Sequence, residues 1–432
     1  MRFEPGGCNC YCRRTVREQT LSPFAFPAFR AFFAARLSAT MAQIVMVVVI
    51  GWQVYDVARE TRSISESSFL LGLIGLAQFL PVFFLSLAVG VIVDRLDRRI
   101  IARLSVLLEL AGAIMLIWVS LSARHILWPF FVVATLLGIA RAFAQPALSA
   151  LAPNLVPPAV LPTAIAWNSI GFQAGVVLGP MVGGLAYDLS PPFAYALASA
   201  MLAFAFVALW LIPPIRLPAN SGATGLAAVR EGIDYLRHNQ VVFGAISLDL
   251  FAVILAGATA MLPIYARDIL HVGPLGLGML RASPALGAAF IALWLTRTPL
   301  GHRVGIKMFL NVGVFAIATA VFGLSTVLWL SLISLTILGA ADMVSVYIRQ
   351  SLIQLHTPDS MRGRVSAVAT LFTSASNELG EFRAGVVAAA IGPVIATTGG
   401  GVLALAVTIL WARLFPQLRD ADTLDVPEHL RE

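Results

Sequence analysis

Carboxylate and guanidinium groups stand inside otherwise apolar stretches of this 432-residue chain. Asp249 lies in Ser247-Leu248-Asp249-Leu250-Phe251, and Arg141 lies in Gly138-Ile139-Ala140-Arg141, with Gln145-Pro146 one turn further on. Arg36, Glu109, Arg281, Asp342, Glu378, Glu381 and Arg383 have similar surroundings. Charges in a hydrocarbon layer are costly and mostly functional. A lone carboxylate such as Asp249 can exchange a proton there, and Arg141 is expected to pair with it and hold it ionised until substrate or proton arrives. A fixed internal ion pair is the alternative. Glu378 and Glu381 are three apart and share a helix face. The candidates for proton coupling or cavity lining are therefore Arg36, Arg141, Gln145, Asp249, Glu378 and Glu381.

Two further clusters stand out. Gly90-Val-Ile-Val-Asp94-Arg95-Leu-Asp97-Arg98-Arg99 packs five charges into six residues at the end of an apolar run. Such a knot fixes membrane topology. It is also expected to latch two parts of the protein, through Gly90, Asp94, Arg95, Asp97, Arg98 and Arg99, when the opposite side is open. The second cluster is Gly175, Gly179 and Gly183, with Pro180 and Gly184. Residues at i, i+4 and i+8 make one smooth face for close helix packing, and the proline removes a backbone hydrogen bond.

The elements that carry these residues follow from composition. The chain is 59% hydrophobic and 12% charged, with mean hydropathy +0.87, whereas soluble domains carry about 25% charged residues. This is a polytopic membrane protein. Twelve spans are expected, at about 29–57, 68–93, 100–122, 127–149, 163–188, 193–213, 241–266, 275–296, 305–323, 326–350, 363–391 and 394–415. Between the sixth and seventh, Pro218-Ala-Asn-Ser-Gly222 reads as a linker. Leu226, Val229, Ile233 and Leu236 then recur at helical spacing and predict an amphipathic helix on the membrane face.

Arginine and Lys307 concentrate in the loops after spans two, six, eight and ten. That bias predicts that both termini and the linker are cytoplasmic. Arg297-Thr-Pro-Leu-Gly-His-Arg303 echoes the charged motif after span eight, so the halves read as a six-plus-six repeat. The net charge of +7 lies in loops, as expected for contact with anionic lipid, and nucleic acid is not an expected partner. Trp52, Tyr55, Trp167 and Phe172 read as lipid-facing or interface aromatics more readily than as a substrate path. Cys8, Cys10 and Cys12 precede the first span with no histidine nearby, so no metal site or other cofactor is expected. Residues 1–22 lack the pattern of a signal peptide. Neither a phosphate-binding glycine loop nor a catalytic constellation occurs, which argues against an enzyme or an ATP-driven pump.

The chain resembles the major facilitator superfamily. The stretch 90–99 is similar to that family's motif between helices two and three, with Asp97 where glycine is usual. Gly175-Val-Val-Leu-Gly179-Pro180-Met-Val-Gly183-Gly184 is similar to the motif of its proton-coupled exporters. Gly138 to Arg141 with Gln145-Pro146 resembles a helix-four segment that often carries a buried arginine linked to proton coupling.

Gly51-Trp-Gln-Val-Tyr-Asp56, Met361-Arg-Gly-Arg-Val-Ser366 and Ser376-Asn-Glu-Leu-Gly-Glu-Phe382 resemble the bacterial subgroup that contains siderophore exporters of the enterobactin type. Arg383 departs from it, since an acidic residue is expected there. The resemblance implies an all-α membrane protein with twelve helices in two pseudo-symmetric six-helix bundles. Its divisions would be a cytoplasmic tail (1–27), an N-terminal bundle (28–214), a linker with the amphipathic helix (215–240), a C-terminal bundle (241–415) and a cytoplasmic tail (416–432). It further implies a monomeric inner-membrane exporter of a small organic molecule, driven by protons. A siderophore is the first expectation. Drug efflux and lysophospholipid translocation are alternatives, and a non-transporting sensor or scaffold is the reading from another class.

Overall fold

The computed structural model describes residues 22–122, 126–151, 154–213, 226–298 and 300–422. The cysteine triplet, Pro218–Gly222 and the last ten residues lie outside them. The first half holds α1 (Pro27–Thr61), α2 (Ile64–Arg95), α3 (Arg98–Leu121), α4 (Trp128–Leu151), α5 (Leu161–Leu189) and α6 (Pro191–Trp210). The amphipathic α7 is Leu226–His238. The second half holds α8 (Gln240–Ala256), α9 (Gly273–Arg297), α10 (Val304–Leu324), α11 (Leu328–Leu355), α12 (Asp359–Ile391) and α13 (Pro393–Leu414).

The helix ends follow from local chemistry. Proline at the first turn, where no amide partner is needed, opens α1, α5, α6, α9 and α13. Asp97, Ser190 and Asn239 cap α3, α6 and α8 with side-chain oxygens. Among the described residues, eleven helical segments are long and apolar enough to cross a bilayer. The twelfth long helix, α12, is too polar to be recognised that way, because it carries Arg362, Arg364, Glu378, Glu381 and Arg383. It packs along α2, α8 and α13. The sequence treats the seventh span as one helix over 241–266, and the structure corrects this. The segment Gln240–Ile269 breaks at Gly257, which adopts φ +53°, and continues as short 3-10 and π turns.

In the first half, α1 packs on α5 and α6, and α3 packs on α4 and α6. In the second, α9 packs on α11, and α10 packs on α11 and α13. The halves meet where α2 lies along α12 and α5 lies along α9. The second helix of one half thus faces the fifth of the other, as a two-fold-related pair requires. We call the end at which the described residues start, at Ser22, and stop, at Asp422, the terminal face and the opposite end the distal face.

The amphipathic helix corrects a second expectation. Ile233 and Leu236 pack with Val365, Val368 and Phe372 of α12 rather than on lipid. Glu231 pairs with Arg364, and the Tyr235 hydroxyl donates to the His356 carbonyl at 2.6 Å. The side chains of Leu226 and Val229 lie outside the description. Residues 416–422 do not trail away as a tail. The Ala421 and Asp422 carbonyls accept from the Gly305 and Val304 amides at 3.0 and 3.2 Å, capping α10.

Candidate functional site

At the distal face the two halves are locked together. The Arg59 Nε lies 3.1 Å from Asp268 Oδ2, and the Tyr55 hydroxyl donates to the same carboxylate. In the reverse sense, Arg267 Nη1 lies 3.0 Å from Asp56 Oδ1 and donates to the Asp56 carbonyl at 2.7 Å. These are reciprocal ion pairs between the end of α1 and the end of the seventh span. Tyr55 and Trp52 are buried inside the protein, against the lipid-facing expectation, whereas Trp167 is exposed.

Below the ion pairs the helices almost touch. A side chain on Gly184 would meet the Pro274 carbonyl at 2.5 Å and the Gly278 Cα at 3.2 Å. The glycine motif of α5 therefore has two faces. Gly175, Gly179 and Gly183 seat α1 through Thr40, Ile44 and Val45, within one half. Gly184 and the Pro180 carbonyl receive Gly278 of α9, across the halves.

Towards the terminal face the halves part. Arg141 and Gln145 of α4 are exposed, as are Ile165, Ala166, Trp167, Ser169 and Ile170 of α5, which spread over roughly 200° of that helix, while Ala164 and Gly171 on its other side are buried. Between the halves lies a cavity of about 360 Å³. Its wall is mostly apolar (Ile44, Val176, Val253, Phe315, Leu338), with Gln173, Thr259, Arg281, Asp342 and Asn377 as polar groups. Its size and lining suit a small organic ligand.

The ionisable groups pair differently from the sequence expectation. Arg141 does not meet Asp249. Its Nη1 lies 2.8 Å from Glu378 Oε1, bridging α4 and α12 across the halves. Both residues stand 13 positions from the distal ends of their helices, about 20 Å deep at 1.5 Å per residue. Asp249 pairs with Arg349 of α11 instead, and these side chains are 6% and 4% exposed. Arg349 was missed because it stands near the predicted end of its span. A usable signal existed, since Arg349 follows Asp342 by seven residues and lies two turns along the same helix face. Such a buried pair is costly to break from either side, which suits a fixed strut.

Arg281 Nη2 is 3.9 Å from Glu381 Oε1, an ion pair too long for a hydrogen bond. The Thr259 hydroxyl donates to the same oxygen at 3.5 Å. Arg383, where an acidic residue was expected, donates from Nη2 to the Leu255 carbonyl at 2.6 Å. It thereby supplies positive charge and a donor to the open C-terminal end of α8, where the span is broken. Arg36 is buried in α1, 5.8 Å above the Phe172 ring, and does not reach the cavity. Glu109 is buried in α3 within the electrostatic reach of Arg141.

Asp97 and Arg99 of the charged motif are wired inside their own half. Asp97 accepts from the Arg99 amide at 3.0 Å and from Arg99 Nη2 at 2.6 Å. These contacts hold its carboxyl below the usual range. Arg99 Nη1 donates to the Ile212 carbonyl at 3.1 Å, and Arg103 donates to Leu209 while stacking 4.2 Å over Trp210. In this conformation, with the distal side closed, Asp97 and Arg99 join α3 to the end of α6; the expected latch belongs to the opposite conformation. Arg98 also makes contacts. The side chains of Asp94 and Arg95, and the surroundings of Gly90, lie outside what is described.

The chain is similar to several named transporters. The enterobactin exporter EntS of Shigella boydii serotype 18 is 26% identical over 400 residues, covering 91% of this chain and 93% of its own. That of Escherichia coli O81 is equally similar. Among solved structures, the bacterial homologue of the human lysosomal transporter Spinster, in its inward-facing and unoccupied form, superposes with TM-score 0.64 at 15% identity, covering 91% of this chain and 98% of that one. The human organic anion transporter MFSD10 superposes with TM-score 0.60 at 17% identity, covering 89% and 99%. The family pattern described as Transmembrane secretion effector matches residues 18–431. With its multi-pass helical fold and paired six-helix halves, the chain belongs to the Transmembrane secretion effector family of major facilitator transporters.

Proposed function

We propose that this protein is an inner-membrane secondary exporter of a small organic molecule that works by alternating access and exchanges substrate for protons. The observation that carries the reading is the Arg141–Glu378 ion pair, which joins the two halves at mid-depth beside the cavity. Protonating Glu378 removes the negative charge that holds Arg141, so proton uptake weakens a contact between the bodies that must rock. Glu381, one turn away on the same face, adds a like charge that sharpens this response. On the arginine bias of the loops, the terminal face is cytoplasmic. The conformation described is then the inward-open one, with the Arg59–Asp268 and Asp56–Arg267 pairs closing the outer side. The motif at 90–99 is left to latch the inner side when the outer side opens, and its Asp94 remains the residue to test. The working unit is taken as a monomer in contact with membrane lipid. No cofactor enters the mechanism.

The named relatives make an enterobactin-type siderophore the first compound to test, with amphipathic drugs second. Substrate addition to inverted vesicles should dissipate an imposed proton gradient. Glu378→Gln and Arg141→Ala should each lower that response by about tenfold or more with insertion intact. Asp249→Asn should instead lower the amount of folded protein, because it strands Arg349 at a cost of about 3–5 kcal/mol. Full substrate-dependent proton movement in Glu378→Gln would remove this residue from coupling.

A further inference from the structure

The ionic groups around the cavity nearly all have partners. Arg141 holds Glu378 at 2.8 Å, Arg281 stands 3.9 Å from Glu381, and Arg349 neutralises Asp249. Arg383 is engaged by the Leu255 carbonyl. Asp342 is the exception. It stands mid-way along α11 on the wall of the main cavity, and also on that of a small void behind it shared with Asp249 and Ser345. Among the described residues it makes no hydrogen bond or ion pair, and no charged side chain acts on it. Arg281, the other ionic group on this mostly apolar wall, is paired with Glu381, so the unmatched carboxylate favours a positive ligand. Phe315, which lines both spaces, offers the ring face that organic cations prefer.

From this juxtaposition we propose that Asp342 is the specificity-determining residue of the cavity and selects an amphipathic organic cation, such as a protonated or quaternary amine. This deepens the exporter reading and rests on it for direction of transport only. It goes beyond the relatives' names, which point to a siderophore. It also gives exchange a direct physical basis. One carboxylate holds either a proton or the cation, so loading one expels the other. The coupling ion and the substrate then compete at Asp342, while Arg141–Glu378 acts on the movement of the halves.

The test uses the full chain in lipid nanodiscs, with tetraphenylphosphonium and neutral triphenylphosphine oxide as paired probes. Wild type should bind the cation at least about tenfold more tightly than the neutral probe, and should weaken as pH falls. Asp342→Asn should lose both the preference and its pH dependence. Asp342→Glu should keep the preference, which guards against a folding defect in the asparagine variant. Asp97→Ala, remote from the cavity, should bind the cation as wild type does. Equal affinity for both probes in wild type, or an unchanged preference in folded Asp342→Asn, would overturn the proposal. Loss of the pH dependence in Glu378→Gln instead would also overturn it. Cation selectivity that depends on Asp342, without any cation-driven proton movement in proteoliposomes, would uphold this site and sink the exporter reading.

Discussion

The two ends of the molecule use the same residue types for different tasks. At the distal face, Arg59 and Arg267 reach carboxylates on the opposite half, with Tyr55 adding a hydrogen bond to Asp268. At the terminal face, Arg99 and Arg103 reach only their own half, capping α3 with Asp97 and gripping the carbonyls at the end of α6. An arginine whose partner rides on the other rigid body is a gate. One whose partner shares its body is a strut. The sequence signal differs in the opposite sense. The strut is a dense, recognisable motif, whereas the gate is assembled from two modest clusters about 210 positions apart.

That contrast can be broken at several points. The largest effect is expected from Gly278→Leu. The added side chain has no room against the Pro180 carbonyl and Met181. Overpacking of this kind costs about 1–3 kcal/mol, and here it falls wholly on the distal-closed form. Cysteines placed at the distal end should then become reactive, and transport should drop by roughly tenfold or more. Unchanged labelling would show that the halves do not close at this crossing.

A smaller shift is expected from Asp268→Asn, which removes the acceptor shared by Arg59 and Tyr55. Both partners of the ion pair are partly screened, at 24% and 18% exposure, so about 1–2 kcal/mol is expected. The same labelling should rise by several-fold, and Arg59→Ala should add little to it, because the two changes remove one contact.

The smallest effect belongs to the strut. Asp97→Ala should lower thermal stability by about 1 kcal/mol through loss of the cap, with distal labelling unmoved. Its pH dependence has a defined sign. The folded carboxyl is held below its ordinary value by Arg99. Its contribution is therefore complete above the ordinary carboxylate pKa of about 4, and is lost as pH falls through the lowered folded value. Wild type and Asp97→Ala should thus differ across neutral pH and converge in strong acid. A change in distal labelling in this variant would make the residue part of the gate.

Much of the architecture was legible in the residues themselves. Eleven spans are apolar enough to be read from length and hydropathy, and the stretch 363–391 was read as a span as well, despite the polarity of α12. The spacing of Gly175, Gly179 and Gly183 correctly implied a seat for another helix, because i, i+4 periodicity is a local property. That Glu378 and Glu381 share a face was likewise local.

The pairings were not local, and there the sequence reading failed. Arg141 was matched with Asp249 because both looked unpartnered within their own spans. Opposite charges attract without directional code, so any carboxylate at the right depth would have served. Arg349, Asp268 and Asp56 were passed over because they stand near span ends, where charge is ordinary. Depth, helix rotation and the meeting of α2 with α12 and of α5 with α9 chose the partners. The break at Gly257, and the use of Arg383 to satisfy the carbonyl exposed by it, had no signal beyond a glycine in an apolar run.

Composition and hydropathy make this chain a polytopic helical membrane protein with buried charge, because hydrocarbon admits helices and tolerates few ions. Only the tertiary structure decided which charges neutralise one another and which, like Asp342, face the cavity unmatched. A Coulomb contact depends on distances between helices, and no spacing along one chain encodes them.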